Sequence, residues 1–375
     1  MEVTERVQEH VNPLTPYPGN SLSASCHGPA AKEGSQPSAR GLHAARPGCR
    51  VAAMALVTAT QRVNPARAWW AYAARHPGMK VGVTRARNVN MTSTTRDGSL
   101  GLFFPQWQGA GEVPALETGA RRLRARLDGT GPWLEVEVPS LHPLRREDGL
   151  WGRGELLGQL GAARRLLETA RPARVLTIGG DCGVEVAPVT YLNARLGGDL
   201  AVVWFDAHAD LNTPDSSPSG MFHGMPLRVL LGEGDAAFVE GARPHLQPRQ
   251  VFLAGVRELD PPEADFIRAH ALRRFTPAEL VSRPEALAQA LREEGFHHVY
   301  VHMDLDVTDP GELPDVACPT PHGLALATLV SQVRALRETL TLVGASIVEY
   351  APAEAGASRE AVLDGLVDEV RTLLG

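Results

Sequence analysis

The amino-acid sequence predicts an α/β protein, with a mainly parallel central sheet covered by helices on both faces in a three-layer α/β/α arrangement. From about residue 100 onward, short apolar runs alternate with segments of helical periodicity, the pattern of parallel sheets. The chain has 375 residues, of which 43% are hydrophobic, enough for one large core or two smaller ones. Four apolar runs end in unusually polar segments, and ligands of such sheets gather outside the carboxyl ends of the strands.

The elements follow one another in a regular order. Residues 156–170, for example, place apolar side chains at 156, 157, 160, 163, 166 and 167, which is helical spacing. The predicted strands are 100–104, 175–178, 200–205, 251–255, 298–303 and 342–348. The predicted helices are 117–127, 156–170, 188–196, 225–231, 262–270, 284–294, 326–336 and 358–374.

The first hundred residues differ from the rest. Stretches such as 13–21 and 34–38 are rich in Pro, Gly and Ser and show no sustained period, so we expect residues 1–99 to be a disordered or weakly ordered extension. Only residues 65–75 resemble a helix within it. Residues 100–375 are then expected to form the folded domain.

Composition excludes several classes of partner. A formal net charge of −6 argues against a nucleic-acid ligand. No apolar run approaches the roughly 20 residues that a membrane helix needs, and the start of the chain lacks the basic and then apolar pattern of a signal peptide. We therefore expect no membrane partner and a cytoplasmic location.

One stretch indicates a metal site. The apolar run 200–205 ends in Asp206, His208 and Asp210, which alternate with alanines and so share one side of an extended chain. Oxygen and nitrogen ligands at the end of a buried strand suit a hard divalent cation. The alternative is a polar strand end with capping aspartates, but three ionisable groups there would be costly without a cation.

Three further strand ends are polar in the same way. They are 179–183, 302–310 and 348–352. Asp304 and Asp306, added to the Asp206 segment, come close to the number of ligands for two divalent ions that share bridging carboxylates.

In these motifs, residues 100–375 resemble the arginase/agmatinase ureohydrolase family. The resemblance implies a catalytic domain with the three-layer fold and two Mn²⁺ ions per chain, whose bridging hydroxide attacks a guanidinium carbon and releases urea. It also implies two ligand sets that share Asp206 and Asp304. Asp210 completes the first set, whereas His208 and Asp306 complete the second.

The resemblance assigns further roles around the metals. The catalytic group comprises Asp210, Glu349, which would pair with the guanidinium, and His223, which would transfer a proton to the leaving amine. Without the resemblance, Glu349 could equally be interpreted as a surface residue at the end of a strand, and His223 would be interpreted as a solvated loop residue. The residues implied to bind the amino-acid end of the substrate are Asn212, Ser219, Glu258 and Asp260.

Two departures from the family pattern stand out. Cys182 replaces a histidine ligand of the first metal, and a thiol must ionise before it binds well, which would weaken that site or favour a softer metal. Met221 replaces an asparagine that contacts the substrate carboxylate. His302 lies two residues before Asp304, where the family usually has a small hydroxyl residue. It either serves the first metal, by binding it directly or by a hydrogen bond to Asp210, or packs as a buried strand histidine.

The resemblance implies hydrolysis of L-arginine to L-ornithine and urea. Alternatives are another ureohydrolase, such as an agmatinase, a guanidino-acid hydrolase or a formimidoylglutamase, and a non-catalytic metal-binding relative with one impaired site. The expected partners are a small guanidino substrate and further copies of the chain, in a trimer or hexamer.

Overall fold

The computed structural model describes residues 98–140, 142–353 and 360–374. The predictions of a weakly ordered segment over 1–99 and of a helix over 65–75 concern residues that lie almost wholly outside these ranges. Within the described ranges, no helix is long and apolar enough to cross a membrane.

A parallel eight-stranded sheet forms the centre of the molecule. Its strands are β1 (Ser99–Phe104), β2 (Trp133–Glu135), β5 (Arg174–Gly179), β6 (Ala201–Phe205), β7 (Val251–Ala254), β8 (Arg273–Phe275), β9 (His298–Met303) and β10 (Thr341–Ile347). Their spatial order is β2-β1-β5-β10-β9-β6-β7-β8. A separate antiparallel pair consists of β3 (Arg146–Glu147) and β4 (Leu150–Trp151).

Ten α-helices accompany the strands in the described ranges. They are α1 (Ala115–Ala125), α2 (Arg153–Ala170), α3 (Val186–Arg195), α4 (Pro226–Leu230), α5 (Ala236–Gly241), α6 (Pro261–Ala269), α7 (Pro277–Ser282), α8 (Ala286–Glu293), α9 (Leu326–Thr339) and α10 (Asp364–Arg371).

The helices pack on both faces of the sheet, and the predicted three-layer α/β/α class is confirmed. On one face, α1, α8, α9 and α10 contribute Leu123, Leu291, Val333 and Val370 to a buried cluster. On the other face, α2, α3 and α4 contribute Leu160, Val189 and Leu227. Strand β6 supplies both clusters, because alternate side chains of a strand point to opposite faces.

The elements that the sequence prediction missed are short. Strands β2 and β8 have three residues each, and helices α5 and α7 have six, too few for a period to be recognised. The predicted closing helix over 358–374 is wrong in extent: a 3₁₀ turn at Glu360–Leu363 precedes α10 (Asp364–Arg371).

Candidate metal centre

The four polar strand ends lie side by side in the structure. Strands β5, β10, β9 and β6 are consecutive neighbours in the sheet, and all four run in the same direction. Their carboxyl ends therefore meet at one edge, where the chain continues into Cys182, Glu349, Asp304 and Asp206. The sheet topology thus brings together the segments that the sequence separates.

One group of donors is formed by Asp206, His208 and Asp306. The Nδ1 atom of His208 lies 3.0 Å from Asp306 Oδ2 and 3.4 Å from Asp206 Oδ1. Backbone N–H groups orient both carboxylates: His208 donates to Asp206 Oδ1 at 2.6 Å, and Ala207 donates to Asp306 Oδ1 at 3.0 Å. The group is a set of oxygen and nitrogen donors around one point.

Cys182 joins two further groups of donors. The first combines it with Asp206, Asp210 and His302, and the second combines it with Asp304 and Glu349. The thiol donates a hydrogen bond to Asp304 Oδ2 at 3.1 Å, and its sulfur lies 3.7 Å from His302 Nε2. The structure therefore places the thiol and the imidazole at the same end of the cluster.

Burial and crowding of negative charge perturb the titration of these groups. Burial and the neighbouring Asp306 raise the pKa of Asp304 well above its usual value. Burial and Asp206 do the same to the pKa of Asp210. Burial opposes ionisation of Asp206 as well, but hydrogen bonds from His208 and His302 outweigh it and lower the pKa of Asp206.

The donor set fits divalent cations. Asp210 Oδ2 is a buried atom with no hydrogen-bond partner in the described part of the chain. An unpaired buried carboxylate oxygen is costly, and a cation beside it would remove that cost. Carboxylates and imidazoles are also the ligands that divalent first-row metals accept in proteins.

Two of the site residues have a strained backbone. Asp210 has φ 54° and Glu349 has φ 62°, in the left-handed region that favours glycine. The Glu349 backbone N–H donates to the carbonyl oxygen of Gly180 at 2.7 Å, which ties the end of β10 to the end of β5. The surrounding contacts hold both side chains in an unfavourable local conformation, as is common at functional sites.

His223 and Glu349 form a pair beside the donor groups. His223 Nδ1 lies 3.3 Å from Glu349 Oε1, and the same oxygen accepts a hydrogen bond from the Cys182 backbone N–H at 3.0 Å. Burial lowers the pKa of His223, but the hydrogen bond and charge of Glu349 outweigh it, so the pKa of His223 is raised.

A cavity opens above these groups, and most of the residues predicted to bind substrate line it. Asn212, Ser219 and Asp260 lie at its wall together with His223 and Glu349. Asn212 Nδ2 donates to Asp260 Oδ2 at 2.8 Å. His208, Asp210, Asp304 and Asp306 also line the cavity, whereas Asp206 and His302 are fully buried beneath it.

The structure does not bring Glu258 to this cavity. Its side chain is exposed and is not part of the wall, because the backbone N–H groups of Arg257 and Glu258 both donate to the carbonyl oxygen of Ala207 and fix the turn. Met221 is also outside the wall, and its methyl group lies close to Gly111. Asp260 is therefore the acidic residue of that loop that faces the cavity.

Sequence reasoning missed three buried acids near the site. Asp181 accepts hydrogen bonds from Gln106 Nε2, Gly109 N and Gly183 N, each at 2.8 Å, and burial and Glu349 raise its pKa to about 7. Glu263 lines the cavity, and burial raises its pKa to about 7. Glu185 lies behind His302. The capping-box spacing of Asp260 and Glu263 was a usable signal for Glu263.

These features define a class of protein: an α/β/α fold whose parallel sheet carries candidate ligands for divalent cations at its carboxyl edge. The family model described as "Arginase: Arginase family" matches residues 38–365. The chain belongs to the arginase family, which confirms the resemblance seen in the motifs. The match begins inside the segment that the sequence predicted to be an extension.

Individual relatives agree with this family. The chain is 32% identical to an arginase of Staphylococcus aureus over 182 residues, 47% of this chain and 60% of that protein. It is 34% identical to the arginase of Bacillus caldovelox over 183 residues, 47% of this chain and 61% of that protein. The matched segment thus spans about three fifths of the length of these relatives.

Solved structures extend the match to the whole fold. The structure of Bacillus caldovelox arginase superposes with a TM-score of 0.60 at 26% identity and covers 74% of this chain and 97% of that one. Entamoeba histolytica arginase in complex with L-ornithine gives a TM-score of 0.66 at 21% identity, covering 74% and 99%. The second likeness concerns the fold alone.

Proposed function

We propose that this chain is a metal-dependent hydrolase of a guanidino group, and that its substrate is L-arginine, which it converts to L-ornithine and urea. The observation that carries the proposal is one cavity that holds the cation donors, the buried Glu349 carboxylate and the His223 imidazole in contact. Membership of the arginase family supports the same reading. Two Mn²⁺ ions per chain are part of the proposal.

Glu349 is the candidate binding group for the guanidinium. Its Oε1 atom already accepts from Cys182 N, whereas Oε2 is buried without a hydrogen-bond partner among the described residues. A guanidinium presents two parallel N–H groups and would satisfy a carboxylate through both oxygens. Glu349 would thus orient the planar carbon toward the donor groups.

His223 is the candidate proton donor. Because Glu349 raises its pKa, the imidazole carries a proton at a higher pH than a free histidine does. A protonated imidazole beside the bound guanidinium would protonate the leaving amine, and Glu349 would hold the ring in place. Cations bound by the donor groups would lower the pKa of a nearby water toward neutrality.

The far end of the substrate would meet Asp260, Asn212 and Ser219. An anionic Asp260 suits an α-ammonium group, which favours an amino acid. The hydrogen bond from Asn212 to Asp260 supports a second candidate, a sister ureohydrolase, because it occupies both groups within the protein. Such an enzyme would act on agmatine or a guanidino acid, which lack the complete amino-acid head group.

The test uses the full chain, loaded with Mn²⁺, and measures urea released from L-arginine, agmatine and guanidino acids and formamide released from formiminoglutamate. We expect L-arginine to give the highest kcat/KM. Glu349→Gln should lower kcat/KM by roughly 100-fold or more, because the negative charge that would stabilise the guanidinium in the transition state is lost. Glu240→Gln is the control, because Glu240 is an exposed partner of Arg243.

Urea from agmatine or a guanidino acid alone, or formamide from formiminoglutamate, would establish the sister activity. No product from any substrate while metal is bound would favour a non-catalytic relative. The expected trimer or hexamer belongs to the same proposal. Size-exclusion chromatography with light scattering measures the mass of the assembly and so tests it. The cytoplasmic location also remains a proposal, to be tested by cell fractionation.

A further inference from the structure

The two nitrogens of His302 face chemically different surroundings. Nε2 lies 3.7 Å from Cys182 Sγ and 3.8 Å from Asp206 Oδ2. Nδ1, on the other side of the ring, lies 3.4 Å from Glu185 Oε1 and 3.4 Å from the Ser346 hydroxyl oxygen. The ring is fully buried and stacks on Trp204 with 3.7 Å between the ring centroids. Packing therefore fixes which nitrogen faces the donor cluster and which faces the carboxylate.

We propose that Cys182, Asp206, Asp210 and His302 bind one cation through a thiolate, an imidazole and two carboxylates, and that this donor set selects Co²⁺ or Zn²⁺ over Mn²⁺. Glu185 is the positioning residue that orients His302. The inference rests on the proposed function for the presence of a two-cation centre. It changes the identity of the ligands and of the metal at one half of that centre.

The distances suit one tetrahedral ion. Donor atoms about 2.0–2.3 Å from a zinc-like cation lie about 3.3–3.8 Å from one another. The separations of Nε2 from the sulfur and from Asp206 Oδ2, 3.7 and 3.8 Å, are close to that range. Ligand atoms of all four residues lie within 4.8 Å of one another. Asp210 Oδ2, which has no hydrogen-bond partner among the described residues, completes the set.

Glu185 supplies a second and independent argument. A histidine that binds a metal through one nitrogen usually donates its other N–H to a carboxylate, which fixes the tautomer. Glu185 is fully buried and lies on the Nδ1 side of His302. Because a buried carboxylate without a partner is costly, Glu185 favours the tautomer that carries its proton on Nδ1, and this tautomer leaves Nε2 free to bind a cation.

The chemistry of the donors predicts the selectivity. Thiolate and imidazole ligands favour Co²⁺ and Zn²⁺, whereas sites rich in carboxylates suit Mn²⁺. The neighbouring group of Asp206, His208 and Asp306 contains no sulfur, so the two halves of the centre should prefer different metals. When the cation binds, a metal–sulfur bond forms, the S–H bond breaks, and one proton passes to the buffer.

Cobalt is the probe, because a thiolate bound to Co²⁺ gives a charge-transfer band in the near ultraviolet. The full chain is stripped with a chelator and titrated with CoCl₂, and bound cobalt is counted by mass spectrometry. We expect two ions per chain and the thiolate band. Zn²⁺ should displace the cobalt that gives the band, whereas an equal concentration of Mn²⁺ should not.

Three variants separate the roles. Cys182→Ser should lose the band, and His302→Ala should bind one cobalt fewer. Glu185→Gln should keep the band but weaken binding at that site by about 10–100-fold. His298→Ala is the matched control, because His298 begins the same strand and contacts Asp199, away from the cluster. It should behave as the unmodified chain.

Absence of the thiolate band from the cobalt-loaded chain overturns the proposal, as does full cobalt binding by His302→Ala. X-ray absorption of the unmodified chain covers the case in which a variant does not fold, since missing sulfur scattering would also overturn the proposal. A chain with the band that releases no urea would reject the proposed function alone. A chain that releases urea with all-oxygen and nitrogen ligands would reject this inference alone.

Discussion

Replacing Arg257 should loosen the loop after β9, which carries two of the candidate metal donors, Asp304 and Asp306. Its guanidinium donates to six backbone carbonyls in three chain segments. The three shortest bonds go to Thr320 at 2.6 Å, Asp306 at 2.8 Å and Pro321 at 2.9 Å. Arg257, just after β7, therefore binds together the loop after β9 and residues 320–321.

The expected cost follows from these contacts. Arg257→Met keeps the apolar part of the side chain and removes every donor. At about 1–1.5 kcal/mol for each of the three short bonds, the free energy of unfolding should fall by about 3–4.5 kcal/mol. Arg257→Lys keeps the charge but not the planar arrangement of donors, so it should recover only part of the loss.

Unfolding at neutral pH with urea as the denaturant measures the change in the free energy of unfolding. Arg274→Met is the control, because Arg274 donates one such bond, to Val256 O at 3.0 Å, and should cost about 1 kcal/mol. We also expect weaker cation binding at the Asp306 group, since Arg257 holds the Asp306 backbone. If Arg257→Met unfolds at the same urea concentration as Arg274→Met, the guanidinium does not hold these loops.

Two more perturbations test the packing around the site. Asp181 has a pKa raised to about 7 by burial and Glu349, so the metal-free fold should lose stability as the pH rises from about 4 to 7. Asp181→Asn should remove this loss, which amounts to up to about 4 kcal/mol in the free energy of unfolding. If the free energy of unfolding falls equally with pH in both proteins, the prediction is wrong. Gly119→Ala would place a Cβ 1.8 Å from the Tyr350 carbonyl oxygen, so we expect a loss of more than about 3 kcal/mol and lower urea release, measured by unfolding and activity. An unchanged melting temperature would show that α1 can move away from Tyr350.

Much of the architecture could be predicted because the local signals agree with the fold. The strand over 298–303 has the predicted bounds, and the sequence alone indicates the polar ends of β5, β6, β9 and β10, which are neighbours in the sheet. Buried parallel strands appear as continuous apolar runs, so a charge directly after one is conspicuous. That is why the Asp206 segment identified the donor edge.

The residues that sequence reasoning missed or misplaced depend on tertiary contacts. Glu185 lies in the turn before α3 and has meaning only because His302 of β9 packs against it. Glu258 and Asp260 belong to the same loop, and only the folded turn decides which of them faces the cavity. Neither distinction is visible in a one-dimensional pattern, because both arise from contacts between segments distant in the chain.

The left-handed backbone of Asp210 and Glu349 has a consequence for how this protein can change. Each conformation costs an ordinary residue about 1–2 kcal/mol, and glycine would adopt it freely. Selection for heat resistance alone should therefore accept Asp210→Gly or Glu349→Gly, and either substitution would remove a candidate cation donor or the proposed guanidinium partner. In a library of variants screened for both melting temperature and turnover, these substitutions should occur only in variants that are stable and inactive. The backbone conformation of these two residues would then limit stability in exchange for activity.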